Sequence, residues 1–481
     1  MKTIYRGSYK NRRSIMKNLS FTTKRNITVA AFSLRMICMG IEFAVIFPSV
    51  WLYLKIFHVA YWYLGLVLSA YNMVGIFSTV LVGRLADSTR RIRLTGFIWN
   101  LTEIAGNIIY ALHFHVAFPL IGRMVAGFGE GYISAMWGEI ARVTTKEQRT
   151  RYFAILKGSN LFGAAIGPAF NLFLKEFNFN IGEWHIDFRT SPGFFMGIVW
   201  VLVTFIMLQF VYDLSTEMGK KTEYQPLAQE KEEIQTVGSF LSGSLTPQQP
   251  LGEHEPSNDN KDVTKTTEKI QQETTSTFKD AMMDMFTKYE VNVLVYLLFF
   301  MYVTHTCLQG ITPLIAERML KWDETKVSIL YTVWGLEIIA VLIVVWVVSP
   351  KISDRIMLLL SCICSNLAAI SLVVLSYSQQ QSDLTYYSFL FTVLLEGVGI
   401  AITVVVGRSL VSKHTCSENQ GLVHAILTAF NRLAGLTGPI FGSSFYSHKT
   451  IMGFFIGGVQ FLGLILLLTA FHRLKPLRKS S

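Results

Sequence analysis

Charged residues stand inside long apolar stretches of this chain, where an ionisable group is costly. Two couples are the clearest, Arg35 with Glu42 and Arg123 with Glu130, and each spans seven positions, which on a helix places both members on one face. A charge near the centre of a bilayer costs about 2.5–3.5 kcal/mol on insertion scales. Arginines can engage an anionic group and a buried carboxylate can carry a proton, so we predict a charged, water-accessible site. The alternative interpretation is a set of ion pairs that hold helices together.

The second half of the chain adds its own candidates. Glu396 lies well inside an apolar stretch and is followed by Gly397 and Gly399. Histidine as a residue type changes charge close to physiological pH, so His305 is a candidate pH sensor, although a lone His can also be a plain hydrogen-bonding group. We place both residues in the predicted substrate or proton pathway. Glu103 and Lys157 are expected only to pack or to extend towards the interface, and the remaining buried ionisable residues are Glu337, His424 and Arg432.

The elements that must position these residues are membrane-spanning helices. The chain has 481 residues, of which 51% are hydrophobic and 16% charged, whereas soluble domains carry roughly 25% charged residues. Twelve apolar runs are near the length of about 20 residues that crosses a bilayer. The predicted class is therefore all-α integral membrane, with spans at 27–53, 61–82, 94–113, 117–140, 151–174, 193–213, 288–309, 325–348, 355–377, 385–410, 421–442 and 450–471.

The helices divide into two groups of six. Residues 27–213 form the first predicted bundle and 288–471 the second, joined by a polar linker at 214–287 whose composition is typical of disorder. Basic residues concentrate in the tails 1–26 and 472–481 and in the connections after the second and fourth spans. Because Lys and Arg favour the cytosolic side, we expect both termini and the linker in the cytosol. The same distribution argues that the net charge of +11 serves membrane topology and not nucleic-acid binding.

The first and fourth spans run antiparallel in this arrangement. Counted from the ends of the spans, Glu42 and Arg123 lie at similar depth, and so do Arg35 and Glu130. We therefore hypothesise two crossed Arg–Glu contacts between these helices.

An internal repeat relates the two halves. The segment from Glu147-Gln148 through Asn160 and Gly163 to Gly167-Pro168 reappears 271 positions later, ending at Gly438-Pro439. The match falls on the fifth helix of each half. It indicates two bundles related by duplication, a plan found in many secondary transporters.

Short motifs add a resemblance to a known family. Gly83-Arg84-Leu85-Ala86-Asp87-Ser88-Thr89-Arg90-Arg91 resembles the loop signature G-x-L-A-D-x-x-G-R-K of the major facilitator superfamily, with Arg90 in place of its second Gly. A shorter counterpart in the second half runs from Lys351 to Arg355. Two further motifs of the family are similar to segments of the first half, Arg123-Met-Val-Ala-Gly127-Phe-Gly129 and Gly163-Ala-Ala-Ile-Gly167-Pro168. The resemblance implies gating roles for Gly83, Asp87, Arg90, Arg91, Asp354 and Arg355. It also implies helix-packing roles for Gly163, Gly167, Pro168, Gly438 and Pro439.

Within the superfamily the chain resembles the major facilitator domain-containing protein 8 group, which are lysosomal membrane proteins associated with neuronal ceroid lipofuscinosis. The likeness rests on the segment 49–54, on 145–150 leading to Gly167-Pro168, and on Ile311-Thr-Pro313-Leu314. It implies an endosomal or lysosomal membrane. Tyr224-Gln-Pro-Leu227 in the linker fits the Y-x-x-apolar pattern that clathrin adaptors read, although such a pattern also arises by chance.

These features favour a secondary transporter of a small solute, and the buried charges favour an anionic or proton-coupled one. Two alternatives remain, a channel-like anion conductor such as a chloride channel, and a transport-dead scaffold or receptor. No hydrolase elbow, metalloprotease or nucleotide-binding motif occurs, so we do not expect an enzyme. No cysteine spacing indicates zinc. The expected partners are the lipid bilayer and the solute, with a clathrin adaptor at the linker, no cofactor, and a monomeric chain.

Overall fold

Twelve long helices make up the part of the chain that the computed structural model describes, residues 19–218, 283, 285–415 and 420–474. In chain order they are α1 (Phe21–Val45, continued by Phe47–Lys55), α2 (Tyr61–Thr89), α3 (Ile92–Ala111), α4 (Ala117–Glu130, continued by Tyr132–Arg142), α5 (Lys146–Ile166, continued through Gly167–Ala169 by Phe170–Leu174), α6 (Ser191–Phe210), α7 (Tyr289–Arg318), α8 (Glu324–Val348), α9 (Asp354–Tyr377), α10 (Asp383–Ile402, continued through Thr403–Gly407 by Arg408–His414), α11 (Gln420–Ser444) and α12 (Lys449–Ala470).

The predicted twelve-helix fold is confirmed. Eight helical segments of the described residues are long and apolar enough to cross a membrane by length and composition alone. The four helices that do not meet those limits, α3, α4, α5 and α11, include several of the ionisable residues at mid-depth. The predicted sorting signal, Tyr224 to Leu227, lies outside the described residues, as do most of the predicted linker and parts of both tails.

Local chemistry sets where helices begin and bend. Ser20 caps α1 by accepting a 3.2 Å hydrogen bond from the Thr23 amide, so α1 begins before the predicted residue 27. The same helix is interrupted at Ile46, just ahead of Pro48, which has no amide hydrogen to donate. A second interruption, at Gly131, divides α4.

Close helix contacts within each half depend on glycine. A Cβ at Gly163 of α5 would overlap the carbonyl oxygen of Ile37 on α1. Gly167, in the continuation of α5, packs against Ile41 of α1. In the second half, Gly438 of α11 lies equally close to Thr306 of α7, so a side chain there would also collide. These contacts bring backbones together where larger residues would separate the helices.

We call α1–α6 the N half and α7–α12 the C half. The end of the bundle that carries Phe21, Thr89, Arg142 and His414 is the tail end. The opposite end carries a two-stranded antiparallel hairpin, β1 (Phe179–Ile181) and β2 (Trp184–Ile186), and is the hairpin end. The hairpin was not among the sequence predictions. Gly182 turns it with a φ of +63°, and Trp184 Nε1 donates to the Ala111 carbonyl at 2.8 Å.

Candidate functional site

Arg35 lies at mid-depth in the N half, fully enclosed. Its Nε donates to Asn100 Oδ1 of α3 at 3.1 Å and its Nη2 to the Gly129 carbonyl of α4 at 3.1 Å. The nearest carboxylate is Glu103, whose Oε1 is 3.7 Å from Arg35 Nη2, and both side chains are 0% exposed. Gly129 is needed here, since a Cβ would stand 2.5 Å from Glu103 Cγ. Glu103, expected only to pack, is therefore the counter-charge of Arg35.

Glu42 and Arg123 form the other N-half pair. Arg123 Nη1 is 3.9 Å from Glu42 Oε1, as the antiparallel arrangement predicted. Glu42 also accepts hydrogen bonds from Asn107 Nδ2 of α3 at 2.6 Å and from Trp200 Nε1 of α6 at 2.9 Å. The Arg123 guanidinium stacks 4.3 Å from the ring centroid of Tyr71. Five helices, α1 to α4 and α6, thus converge on one carboxylate and one guanidinium.

Glu130 does not contact Arg35, so the second crossed pair was wrong. Glu130 Oε2 instead accepts a hydrogen bond from Arg432 Nη1 of α11 at 2.9 Å, which joins the N half to the C half. The physical reason is local. Glu130 is the last residue before the interruption at Gly131, and the α2 residue beside it is Gly75. A Cβ at Gly75 would stand 2.9 Å from Arg432 Nη1, so glycine leaves the space that the ion pair fills.

Exposure separates these pairs. The side chains of Glu130 and Arg432 are 11% and 15% exposed, whereas those of Arg35, Glu42 and Glu103 are 0% exposed. The pair between the halves is therefore less enclosed than the pairs inside the N half.

The C half brings two predicted residues together. His305 Nδ1 of α7 lies 3.0 and 3.1 Å from the two carboxylate oxygens of Glu396 on α10. The His305 ring also meets Trp334 of α8 edge to face, with centroids 5.3 Å apart. Glu337 lies beside this group, and its buried Oε2 has no hydrogen-bond partner among the described residues. A Cβ at Gly397 would stand 2.8 Å from that oxygen.

The predicted gating residues of the N half lie at the tail end. Asp87 Oδ1 pairs with Arg142 Nη1 of α4 at 2.5 Å, and Arg142 Nη2 is 3.2 Å from Glu139 Oε2. Arg90 ends α2 with a φ of +51°, the left-handed conformation that glycine adopts most easily. The turn of the family signature is therefore formed although Arg90 replaces its glycine. Arg91, also predicted, is the N-cap residue of α3. Gly83 lies against α4, since a Cβ added there would stand 3.4 Å from Ser134 Oγ.

The C half has a matching arrangement. Asp354 Oδ2 at the start of α9 accepts from Lys413 Nζ at 2.6 Å and from Ser409 Oγ at 3.0 Å, both on α10. The guanidinium of Arg355 stacks 5.0 Å from the centroid of Phe471. Arg142 and Lys413 stand 271 positions apart, the offset of the sequence repeat. Each half thus joins a cation near the end of its fourth helix to an aspartate at the junction of its second and third helices.

Contacts that join the halves gather between mid-depth and the hairpin end. Trp51 Nε1 donates to Glu317 Oε2 at 2.6 Å, and Lys55 pairs with the same carboxylate. Phe47 stacks on Tyr331 with ring centroids 5.5 Å apart. Nearer mid-depth, Ser69 Oγ donates to the Leu436 carbonyl at 2.6 Å, and Pro439 lies against Gly65 and Gly310. The halves are held closed at the hairpin end.

Two cations, on α5 and α10, were not recognised as site residues from the sequence. Lys157 Nζ of α5 donates to Asn160 Oδ1 at 3.3 Å, and Arg408 of α10 directly follows the π-helical segment Thr403–Gly407. Arg408 was not singled out, although it lies near the end of the predicted span 385–410. The π-helical segment Thr403–Gly407, which turns it, has no simple sequence signature.

The comparisons with known proteins agree with this architecture. A profile of the Major Facilitator Superfamily matches residues 31–392 and 294–481. Among solved structures, a D-xylose-proton symporter superposes with a TM-score of 0.61 at 14% identity, covering 93% of this chain and 97% of that one. A bacterial homolog to the human lysosomal transporter Spinster, in an inward-facing, unoccupied conformation, gives 0.59 at 12% identity, covering 94% and 96%.

The human organic anion transporter MFSD10 (TETRAN) gives a TM-score of 0.51 at 13% identity, with 92% of this chain and 99% of that one covered. At these identities the structural likeness shows the fold alone. The profile match, which extends over most of the residues from 31 to 481, shows the family. The chain belongs to the Major Facilitator Superfamily.

Proposed function

We propose that this protein is a proton-coupled secondary transporter of a small solute that works by alternating access in an endosomal or lysosomal membrane. The observation that carries the proposal is the Glu130–Arg432 ion pair. It is partly accessible to solvent and connects α4 of the N half to α11 of the C half at mid-depth, where the two halves must separate and rejoin as they rock.

The two members of this pair have complementary roles in the proposal. While Glu130 is ionised, it occupies the Arg432 guanidinium. When Glu130 takes up a proton, Arg432 loses its counter-charge and becomes available to a substrate. Binding and protonation are thereby coupled through one hydrogen bond of 2.9 Å. The contacts of Trp51 and Lys55 with Glu317 close the hairpin end in this state and must break when the carrier opens there.

The enclosed pairs of the N half have a different role in this proposal. Arg35, Glu42 and Arg123 were predicted to line the pathway, but their side chains are 0–3% exposed and their partners come from α3, α4 and α6 of the same half. We propose that they hold the N half together as a rigid body. His305, whose side chain is 9% exposed, and its partner Glu396 remain candidates for a proton-binding group in the C half.

The test begins with the metabolites of purified endolysosomes from cells with and without the protein. A solute that accumulates is then measured in proteoliposomes containing the full-length chain. We expect saturable flux that a proton gradient accelerates. Glu130→Gln, which cannot exchange a proton, should retain flux and lose the acceleration. Lys326→Gln, an exposed cation at the hairpin end, is the matched control and should behave as wild type.

Two results would contradict the proposal. Current that rises linearly with driving force and ignores the proton gradient would instead indicate a channel. Absence of flux, with a cellular role that survives Glu130→Gln, would indicate a scaffold or receptor.

The location rests on the likeness to the lysosomal group and on the Tyr224–Leu227 pattern. We expect a fluorescently tagged chain to colocalise with lysosomal markers, and a Tyr224→Ala, Leu227→Ala variant to move towards the cell surface. Wild-type protein at the plasma membrane would contradict the proposed location. A Tyr224→Ala, Leu227→Ala variant that still reaches lysosomes would contradict only the proposed clathrin adaptor.

A further inference from the structure

Three exposed arginines lie where α2 meets α3 at the tail end. Arg84 stands near the end of α2, Arg90 is the C-cap residue of that helix, and Arg91 is the N-cap residue of α3. Among the described residues, no hydrogen bond or ion pair involves any of their guanidinium groups. Asp87, the carboxylate between them in the chain, is paired with Arg142. Three positive charges are therefore without a carboxylate partner in the described part of the chain.

The backbone that carries these arginines is held from two sides. The Arg90 amide donates to the Ala86 carbonyl at 2.9 Å, and the Arg90 carbonyl accepts from Thr216 Oγ1 at 3.0 Å. The Arg93 amide donates to Asp213 Oδ1 at 2.9 Å. Both acidic and hydroxyl partners belong to the residues that directly follow α6. The connection between α2 and α3 thus has a fixed backbone from which the arginine side chains extend.

The conformation of Arg90 is one that glycine adopts more easily. Its φ of +51° is left-handed, which strains any residue with a Cβ, and the family signature has glycine at this position. Strained backbone of this kind persists mostly at functional sites. An arginine at such a position adds a cation beside Arg91 at a cost in stability. This exchange indicates a function for the added side chain.

Two exposed apolar stripes end at the arginines. Their members are each 44–73% exposed and are Phe77 and Leu81 on α2 and Leu94, Ile98 and Leu101 on α3. Arg84 follows Leu81 by three residues, and Arg91 precedes Leu94 by three, so each cation lies about one helical turn beyond a stripe. Exposed apolar side chains of a membrane-spanning helix face the hydrocarbon core. Long basic side chains near helix ends extend from there to the headgroups.

We infer that Arg84, Arg90 and Arg91 bind the headgroup phosphate of an anionic lipid whose acyl chains lie along the exposed stripes of α2 and α3. Guanidinium groups match phosphate oxygens in bidentate geometry, and basic residues at an anionic membrane surface strengthen binding. The occupant is a lipid because the cations adjoin an apolar surface that acyl chains cover and a free phosphate does not. The surface is distinct from the Glu130–Arg432 pair, and its occupation does not depend on the proposed transport.

Lipid binding by the purified full-length chain in detergent tests this inference. The probes are dioctanoyl phosphatidylserine and dioctanoyl phosphatidylinositol phosphate. Dioctanoyl phosphatidylcholine is the zwitterionic control, and inositol phosphate, which has no acyl chains, is the soluble one. We expect the anionic lipids to bind saturably and to raise the unfolding temperature, and both controls to do so much less. Arg84→Gln and Arg91→Gln should each weaken anionic-lipid binding about fivefold, whereas Lys326→Gln, at the hairpin end, should leave it unchanged.

Arg90→Gly separates lipid binding from folding. Without lipid it should raise the unfolding temperature, because glycine relieves the left-handed strain. It should nevertheless bind anionic lipid about fivefold more weakly than wild type. Equal effects of phosphatidylcholine and the anionic lipids would overturn the inference, as would a folded Arg84→Gln, Arg91→Gln variant that binds like wild type. Inositol phosphate that binds as tightly as the lipids would also overturn it, by assigning a site for a soluble anion.

Discussion

The contact between α1 and α5 offers a sharp test of the packing. A Cβ at Gly163 would stand 2.8 Å from the carbonyl carbon of Ile37, whereas ordinary contacts begin at 3.4 Å. The obstacle is backbone, so the helices must separate by at least about 0.6 Å. Overpacking of this kind costs about 1–3 kcal/mol. Gly158, on the same helix, has nothing within 4 Å of its absent Cβ. There an alanine should stabilise α5 by about 0.5–1 kcal/mol, since glycine weakens a helix interior.

The assay is thermal unfolding of purified Gly163→Ala and Gly158→Ala in the same detergent. We expect a lower unfolding temperature than wild type for the first and an equal or higher one for the second. Because both changes add one methyl to one helix, helix propensity and hydrophobicity are matched. Equal shifts of the two variants, or a stabilised Gly163→Ala, would refute the close approach of α1 and α5.

Three further predictions concern charges and one strained turn. Arg90→Gly should raise the unfolding temperature, because a left-handed non-glycine residue costs about 1–2 kcal/mol; an unchanged temperature would argue against that conformation. Glu103→Gln should cost about 3–5 kcal/mol by leaving Arg35 enclosed without a counter-charge, and in the same unfolding assay Glu130→Gln should cost clearly less, because the Glu130 side chain is 11% exposed. Asp187, in the loop after the hairpin, is partly buried, which raises its pKa, but the hydrogen bond and charge of Arg189 outweigh burial and leave that pKa below its ordinary value of 3.8. A carboxyl group whose pKa is lower in the folded state than in the unfolded state stabilises the fold at pH values above its unfolded pKa. That stabilisation is lost as the pH falls through its folded pKa. Asp187→Asn should therefore lower the unfolding temperature equally at pH 7 and 5, and the difference should shrink as the pH falls below 3.8.

The sequence predicted the helices well because apolar length is a direct signal of a membrane span. Its errors at helix ends have local causes. Ser20 begins α1 early through a polar cap, and a cap lies outside the apolar run that marks a span. The hairpin 179–186 was missed because its strands are three residues each, and a two-stranded turn of that size has little hydrophobic periodicity.

The site was predicted in part. Depth along a straight helix brought Glu42 to Arg123 correctly. The same reasoning failed for Arg35 and Glu130, because depth says nothing about the direction in which a side chain points. The interruption at Gly131 and the space left by Gly75 decide that direction, and both depend on neighbouring helices. Glu103 was undervalued for a related reason, since its partner becomes visible only when α1 and α3 are packed together.

The offset of 271 has a consequence for the history of the molecule. It relates α5 to α11 and also Arg142 to Lys413, although their aspartate partners Asp87 and Asp354 are 267 positions apart. Under that offset Glu130 corresponds to Ala401 and Arg432 to Leu161. The ion pair between the halves thus has no copy on the other side of the pseudo-symmetry axis. A symmetric ancestor built from two identical halves would have carried both pairs or neither. The single pair therefore marks a divergence that followed gene duplication, after which the two halves ceased to be interchangeable.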